Sequence, residues 1–154
     1  MMRLGLIVAA VAGLLDQVSK FWILDLMGGN PTVIEVTPFL NLVLGFNPGI
    51  SFGLLPFDSP WIWSLFAVAV VIGLLVWLRK VEQGWLAVAL GLVIGGAIGN
   101  VIDRWRIGAV VDFIDLHYAG FHWWTFNIAD AAITCGVALL LVDALFLSGK
   151  STKV

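Results

Sequence analysis

Apolar residues fall in four long blocks, separated by stretches where polar, turn-forming and aromatic residues return. The first block runs from about Leu4 to Leu26 and the second from about Pro60 to Leu78. The third runs from Trp85 to about Ile102 and the fourth from about Phe126 to Leu147. A bilayer core needs about 20 apolar residues of helix to cross it, and each block meets that requirement. The first block has a rival reading as a signal peptide, because Arg3 precedes "LGLIVAAVAGLL" and "AVA" resembles a cleavage site. However, that "AVA" lies inside the apolar run, and the pattern resumes in "FWIL" beyond a polar interruption, so an uncleaved first helix is expected. The pattern predicts an α-helical membrane protein, with four transmembrane helices in a single membrane domain spanning 1–154.

Two connections are too long to be simple turns. The first, 28–59, contains "TVIEVTPFLNLVLGFNPG", whose β-branched residues and closing turn residues predict short strands. Pro38 argues against one long central strand there. The second, 103–125, holds Trp105, Tyr118, Trp123, Trp124 and both histidines. Aromatic residues of this kind favour the membrane–water interface, so a surface-lying segment, partly helical, is expected.

Composition strengthens the membrane reading. Of 154 residues, 61% are hydrophobic and only 12% charged, where a soluble domain would be about half apolar and a quarter charged. The formal net charge of −2 gives no hint of nucleic-acid binding. Cys135 is the only cysteine, so neither an intrachain disulfide nor a cysteine-based zinc site is available. It is expected to pack as a small apolar residue in a buried helix. Charge also sets orientation: Arg3, Arg79, Lys80, Lys150 and Lys153 fall on one side of a four-span chain. That side should be cytoplasmic, with both termini inside. Arg104 and Arg106 then lie on the outer side, against the rule.

Polar residues placed on this map converge at one depth, near the outer face. Asp16 and Lys20 share a face of helix one, four residues apart. Asn100, Asp103 and Arg104 end helix three, and Asn127 and Asp130 begin helix four. Asp112 and Asn47 come from the two outer connections. A charge at the centre of a spanning helix costs ~2.5–3.5 kcal/mol on insertion scales, and such residues usually mark a site. The plainer alternative is a structural network, with Asp16 on Lys20, Asp103 on Arg104, and the rest solvated.

Several chemistries can be weighed. Ser19 and Lys20 suggest a Ser–Lys dyad, but adjacent helix residues do not face each other. His117, His122 and Asp115 make only a weak metal pattern. Cys135 lies roughly 7 Å deeper than Asp130 by helical rise, with no histidine evident beside it. A carboxylate pair remains. Two aspartates held close share a proton, so one can take a proton from water while the other donates to a carbonyl or leaving amine. Asp112 and Asp130 are the best candidates, since neither has a neighbouring Arg or Lys in sequence. Nothing in their spacing establishes that they meet. A proton-coupled carrier stays open as a rival, although its acids should run through the membrane depth, where Asp143 stands almost alone. A structural membrane subunit also stays open.

The motifs "DQVSK" (16–20), "FNPGISFGLL" (46–55), "GGAIGNVIDRWRIGAVVDFIDLH" (95–117) and "FNIADAAITCG" (126–136) occur in order along nearly the whole chain. In these the chain resembles the bacterial lipoprotein signal peptidases, also called signal peptidase II. The resemblance implies an intramembrane aspartic endopeptidase of the bacterial cytoplasmic (inner) membrane, with its active site near the outer face. It implies removal of signal peptides from diacylglyceryl-modified prolipoproteins, by cleavage before the lipid-modified cysteine. Asp112 and Asp130 match the family's catalytic aspartates. Asp16, Lys20, Asn47, Asn100, Arg104 and Asn127 match further positions that shape the site or contact substrate and globomycin-type inhibitors. No metal or cofactor is implied. The family's small extracytoplasmic β-cradle corresponds to the first outer connection, and its surface helix to the segment before helix four. One departure stands at Asn47-Pro-Gly-Ile-Ser-Phe, where relatives often read Asn-x-Gly-Ala-Ala-Phe; Pro48 and Ile50 would alter the loop. The role of Asp115 is open: in a strand it faces away from Asp112, in a helix it shares its side.

Overall fold

The structure, a computed structural model, describes residues 1–28, 32–49 and 60–147. Helix α1 spans Met2–Leu26, strand β1 Val33–Thr37 and strand β2 Leu40–Asn47. Helix α2 spans Pro60–Leu78 and helix α3 Gly84–Ile107. Strands β3 (Val110–Tyr118) and β4 (Phe121–His122) follow, then helix α4 (Ile128–Val142), continued by a π-helical turn at Asp143–Leu147. Among the described residues four helices are long and apolar enough to cross a membrane, so the chain is a multi-pass helical membrane protein with a small antiparallel sheet.

Helix α3 is the axis on which the other three pack. Its buried face runs from Leu86 through Asn100 to Asp103, and small residues bring its neighbours close. A Cβ at Gly95 would strike the Ala9 carbonyl oxygen of α1, and one at Gly96 that of Ala129 in α4. Small residues at such crossings let backbones approach where lipid supplies no hydrophobic drive. Lipid-facing surfaces stay apolar, as Leu14, Phe21, Leu65 and Leu141 show by their exposure. Cys135 is also exposed, contrary to the buried position expected of it.

Two helix ends differ from the pattern-based limits, each for a local reason. Helix α3 continues past Ile102 to Ile107, carrying Asp103, Arg104 and Arg106 on helical backbone. Arg104 and Arg106 lie in its last turn, where the helix dipole favours cations. It stops at Gly108, whose φ of 83° is the left-handed cap that turns the chain into β3. Helix α4 begins at Ile128 because Asn127 caps it.

The sheet has strand order β1-β2-β3-β4, all antiparallel, so the two outer connections form one unit. Pro38 and Phe39 occupy the turn between β1 and β2, as the proline demands. The surface helix expected before α4 is absent: 110–118 is strand, recruited by pairing with β2, and 121–122 turns back to pair with β3. Ile23 and Met27 at the end of α1 pack with Leu44, Val111 and Phe113. That cluster seats the sheet on the bundle and fixes the face from which Asp112 projects.

Candidate active site

The site is built outward from a buried lysine. Lys20 Nζ lies 2.8 Å from Asp16 Oδ2 and 2.7 Å from Asp103 Oδ2. All three side chains are almost wholly buried. Asp16 is the helical neighbour expected from the i, i+4 spacing. Asp103, however, pairs with Lys20 and not with its sequence neighbour Arg104. Each aspartate also ties a second element. Asp16 accepts the Ala129 backbone N–H of α4 at 2.8 Å, and Asp103 accepts that of Val111 in β3 at 3.2 Å. Gln17 donates to the Gly99 carbonyl and to Asp103.

Lys20 also donates to Asn100 Oδ1 at 2.9 Å. An ammonium can only donate, so the Asn100 amide is fixed with its oxygen toward Lys20. Its Nδ2 therefore points the other way and donates to Asp130 Oδ1 at 2.8 Å. Asn127 completes the chain. Its Oδ1 accepts the Asp130 backbone N–H at 2.9 Å, and its own N–H donates to Asp130 Oδ2 at 3.3 Å. This is a capping box. The Asn127 Nδ2 donates to Asp112 Oδ1 at 2.6 Å. Asn47 Nδ2 donates to Asp112 Oδ2 at 3.2 Å, while its Oδ1 holds the Gly49 N–H.

Asp112 and Asp130, separate in sequence and drawn from a strand and a helix, thus meet in one hydrogen-bonded site. Burial, and then the charge of Asp130, push the Asp112 pKa up to about 6. Arg104 interacts electrostatically with Asp130, Asp112 and Asp103. Its Nε is buried and meets no acceptor among the described residues. Asp130 opens on a groove of about 350 Å³ lined by Trp123, Trp124, Phe126 and Thr134 among others. Two carboxyl groups so placed, one able to hold a proton near neutrality, can activate water and donate to a developing oxyanion.

All eight residues singled out from the sequence therefore lie in or against this cluster. Asp103, read from the sequence as a helix-end acid with no assigned role in the site, and Gln17, part of the DQVSK motif, also belong to the cluster. The Ile50 departure lies outside the described residues; Pro48 lies within them and is exposed. Asp115 resolves as a strand neighbour facing away from Asp112. It accepts Asn41 Nδ2 at 3.0 Å and sits 2.9 Å from His122 Nδ1. The His122 ring stacks on His117 at 5.0 Å between centroids. No group of three potential metal ligands occurs among the described residues.

Burial raises the Asp115 pKa, but the bonds from His122 and then Asn41 outweigh it and hold the carboxyl below its usual value of 3.8. The pairing therefore stabilises the fold above pH 3.8 and is lost as pH falls below it. Asp115→Asn should cost about 1 kcal/mol at pH 7. Thermal unfolding of the two proteins across pH checks this: the gap between them should close in strong acid. A gap that persists unchanged there would contradict the assignment.

Comparison with known proteins gives one answer. Residues 8–146 match the family model Peptidase_A8, described as signal peptidase (SPase) II. The lipoprotein signal peptidase of Caulobacter vibrioides is 52% identical over 149 residues, covering 94% of this chain and 87% of that one. That of Methylorubrum extorquens is 44% identical, covering 93% and 86%. A solved structure described as a bacterial membrane enzyme, determined by the in meso method at 2.3 Å resolution, superposes with a TM-score of 0.79. It is 34% identical, and the match covers 97% of this chain and 93% of that one.

Proposed function

The chain belongs to the signal peptidase II family, and on that premise we propose that it is an aspartic endopeptidase that removes signal peptides from diacylglyceryl-modified prolipoproteins. The cut falls immediately before the lipid-modified cysteine. The observation that carries this reading is the pair Asp112 and Asp130, linked through Asn127 and Asn100 at the end of the spans where the sheet sits. One carboxylate takes a proton from water, whose oxygen attacks the scissile carbonyl carbon. The protonated partner gives its proton to the carbonyl oxygen. Collapse of the tetrahedral intermediate breaks the C–N bond, and the proton taken from water passes to the leaving amine. Asp112, buried and with its pKa raised to about 6, can hold a proton near neutrality. The neighbouring Arg104 offers its unclaimed Nε to a substrate carbonyl.

The membrane arrangement suits this substrate. Arg3, Arg79 and Lys80 mark the cytoplasmic end, so both termini face the cytoplasm and the sheet lies outside. Acyl chains then remain in lipid while the scissile bond reaches the acids at headgroup depth. Globomycin-type inhibitors would occupy the same site. The test incubates purified protein in detergent with a diacylglyceryl-modified prolipoprotein and measures product masses. Expected products are the free signal peptide and a lipoprotein beginning at the modified cysteine. Cutting at another bond, or no cutting by folded protein, would overturn the proposal.

A further inference from the structure

One feature of the chain has no part in the catalytic site: Arg106, the second cation at the sheet end of α3. It lies on the other side of the helix from Asn100 and Arg104. Positions 94, 98, 102 and 106 are four apart and form a single stripe along α3. Ile94, Ile98 and Ile102 floor a groove of about 530 Å³ between α1 and α2, walled by Leu6, Ala10, Leu14 and Leu75 among others. Leu6 lines one end of the groove along α1. Gln17 lines its other end, and Arg106 Nη1 reaches Gln17 Oε1 there at 3.4 Å.

Three observations fit this groove to a phospholipid. From Leu6 to Gln17 the α1 wall rises about 16 Å at 1.5 Å per residue, close to one leaflet's share of a hydrocarbon core of about 30 Å. Trp61 and Trp105 pack at 6.4 Å between ring centroids, and both are more than half exposed. Tryptophans so placed mark headgroup level, and Arg106 is the next residue of α3. Finally, Arg106 is exposed, and its one bond among the described residues is the long contact to Gln17. Asp103, the nearby acid that Gln17 also contacts, pairs with Lys20 and not with Arg106. The guanidinium fork is therefore free for a phosphodiester, which it can bind through two parallel N–H donors.

We infer that the groove between α1 and α2 holds an anionic phospholipid of the leaflet bordering the sheet, with an acyl chain along Ile94, Ile98 and Ile102 and the phosphate on Arg106. This site is separate from the catalytic pair, so its test does not depend on cleavage. Native mass spectrometry of the detergent-purified protein, titrated with phosphatidylglycerol, should show one lipid retained per chain. Diacylglycerol with the same chains, which lacks the phosphate, should bind at least tenfold more weakly. Glycerol 3-phosphate, which lacks the chains, should fail to displace the lipid. Arg106→Gln, and Ile98→Trp at a 40% exposed position in the groove, should each weaken retention at least tenfold while unfolding at the wild-type temperature. Equal retention of diacylglycerol, displacement by glycerol 3-phosphate, or undiminished retention by folded Arg106→Gln would each overturn the assignment. The first two arms use wild type alone, so they decide the matter even if a variant misfolds.

Discussion

Asp112→Asn and Asp130→Asn should each reduce cleavage of a diacylglyceryl-modified prolipoprotein by about a thousandfold or more, with the protein still folded. General acid–base groups contribute typically 10²–10⁴-fold, and here each acid is asked to move a proton that an amide cannot. The substitutions are nearly isosteric, so the expected loss is chemical. In Asp112→Asn, two stability effects oppose each other. Wild-type Asp112 has its pKa raised to about 6. Its burial is therefore least costly below the usual carboxylate range, and that advantage is lost as pH rises through 6. The Asn variant escapes this cost at pH 7. Against that, Asn127 and Asn47 both donate to Asp112, and an Asn side chain offers only one oxygen. The melting temperature should move by no more than a few degrees. Cleavage rates measured beside melting curves decide it. A folded variant working within tenfold of wild type would remove that aspartate from the mechanism.

Lys20→Met carries the largest expected cost in stability, about 3–5 kcal/mol, the range for breaking a buried ion pair from one side. It strands Asp16 and Asp103, which are 0% and 2% exposed, without their cation. The triple variant Asp16→Asn, Lys20→Met, Asp103→Asn should recover part of the loss, because it removes the buried charges along with their partner. Lys20→Met should also slow cleavage, since the Asn100 amide loses the donor that orients it toward Asp130. Unfolding of the three proteins in detergent measures this. If Lys20→Met proved as stable as wild type, the triad would not be an anchor of the fold.

Much of this was legible in the sequence, and the failures have physical causes. Runs of apolar residues are long-period signals, so all four spans were visible. Asp16 and Lys20 were readable because one helix sets their spacing. Adjacency in sequence suggests Arg104 as the partner of Asp103, but adjacency in sequence is not adjacency in space. Neighbouring helix positions point apart, so Asp103 turned inward to Lys20 while Arg104 turned toward Asp112 and Asp130. The meeting of Asp112 with Asp130 depends on the pairing of β3 with β2 and on the cap at Asn127. Neither the register of a sheet nor its contact with a helix end is written in local pattern. The aromatic residues of 103–125 suggest a surface-lying segment, partly helical. The pairing of β3 with β2 made 110–118 a strand instead.

The pairing of β2 with β3 has a consequence for biosynthesis. β2 leaves the ribosome before α2 and α3, whereas β3 follows both. The first connection must therefore wait, unpaired, through the insertion of two further helices. Asp112 finds Asn47 only when β3 docks, and Asp130 arrives later still, at the head of the last helix. On the mechanism proposed above, a nascent chain with three spans in the membrane lacks one of its two acids. On that mechanism the chain cannot cut peptide bonds until its last helix has followed the sheet into place, and it stays inert throughout its own insertion.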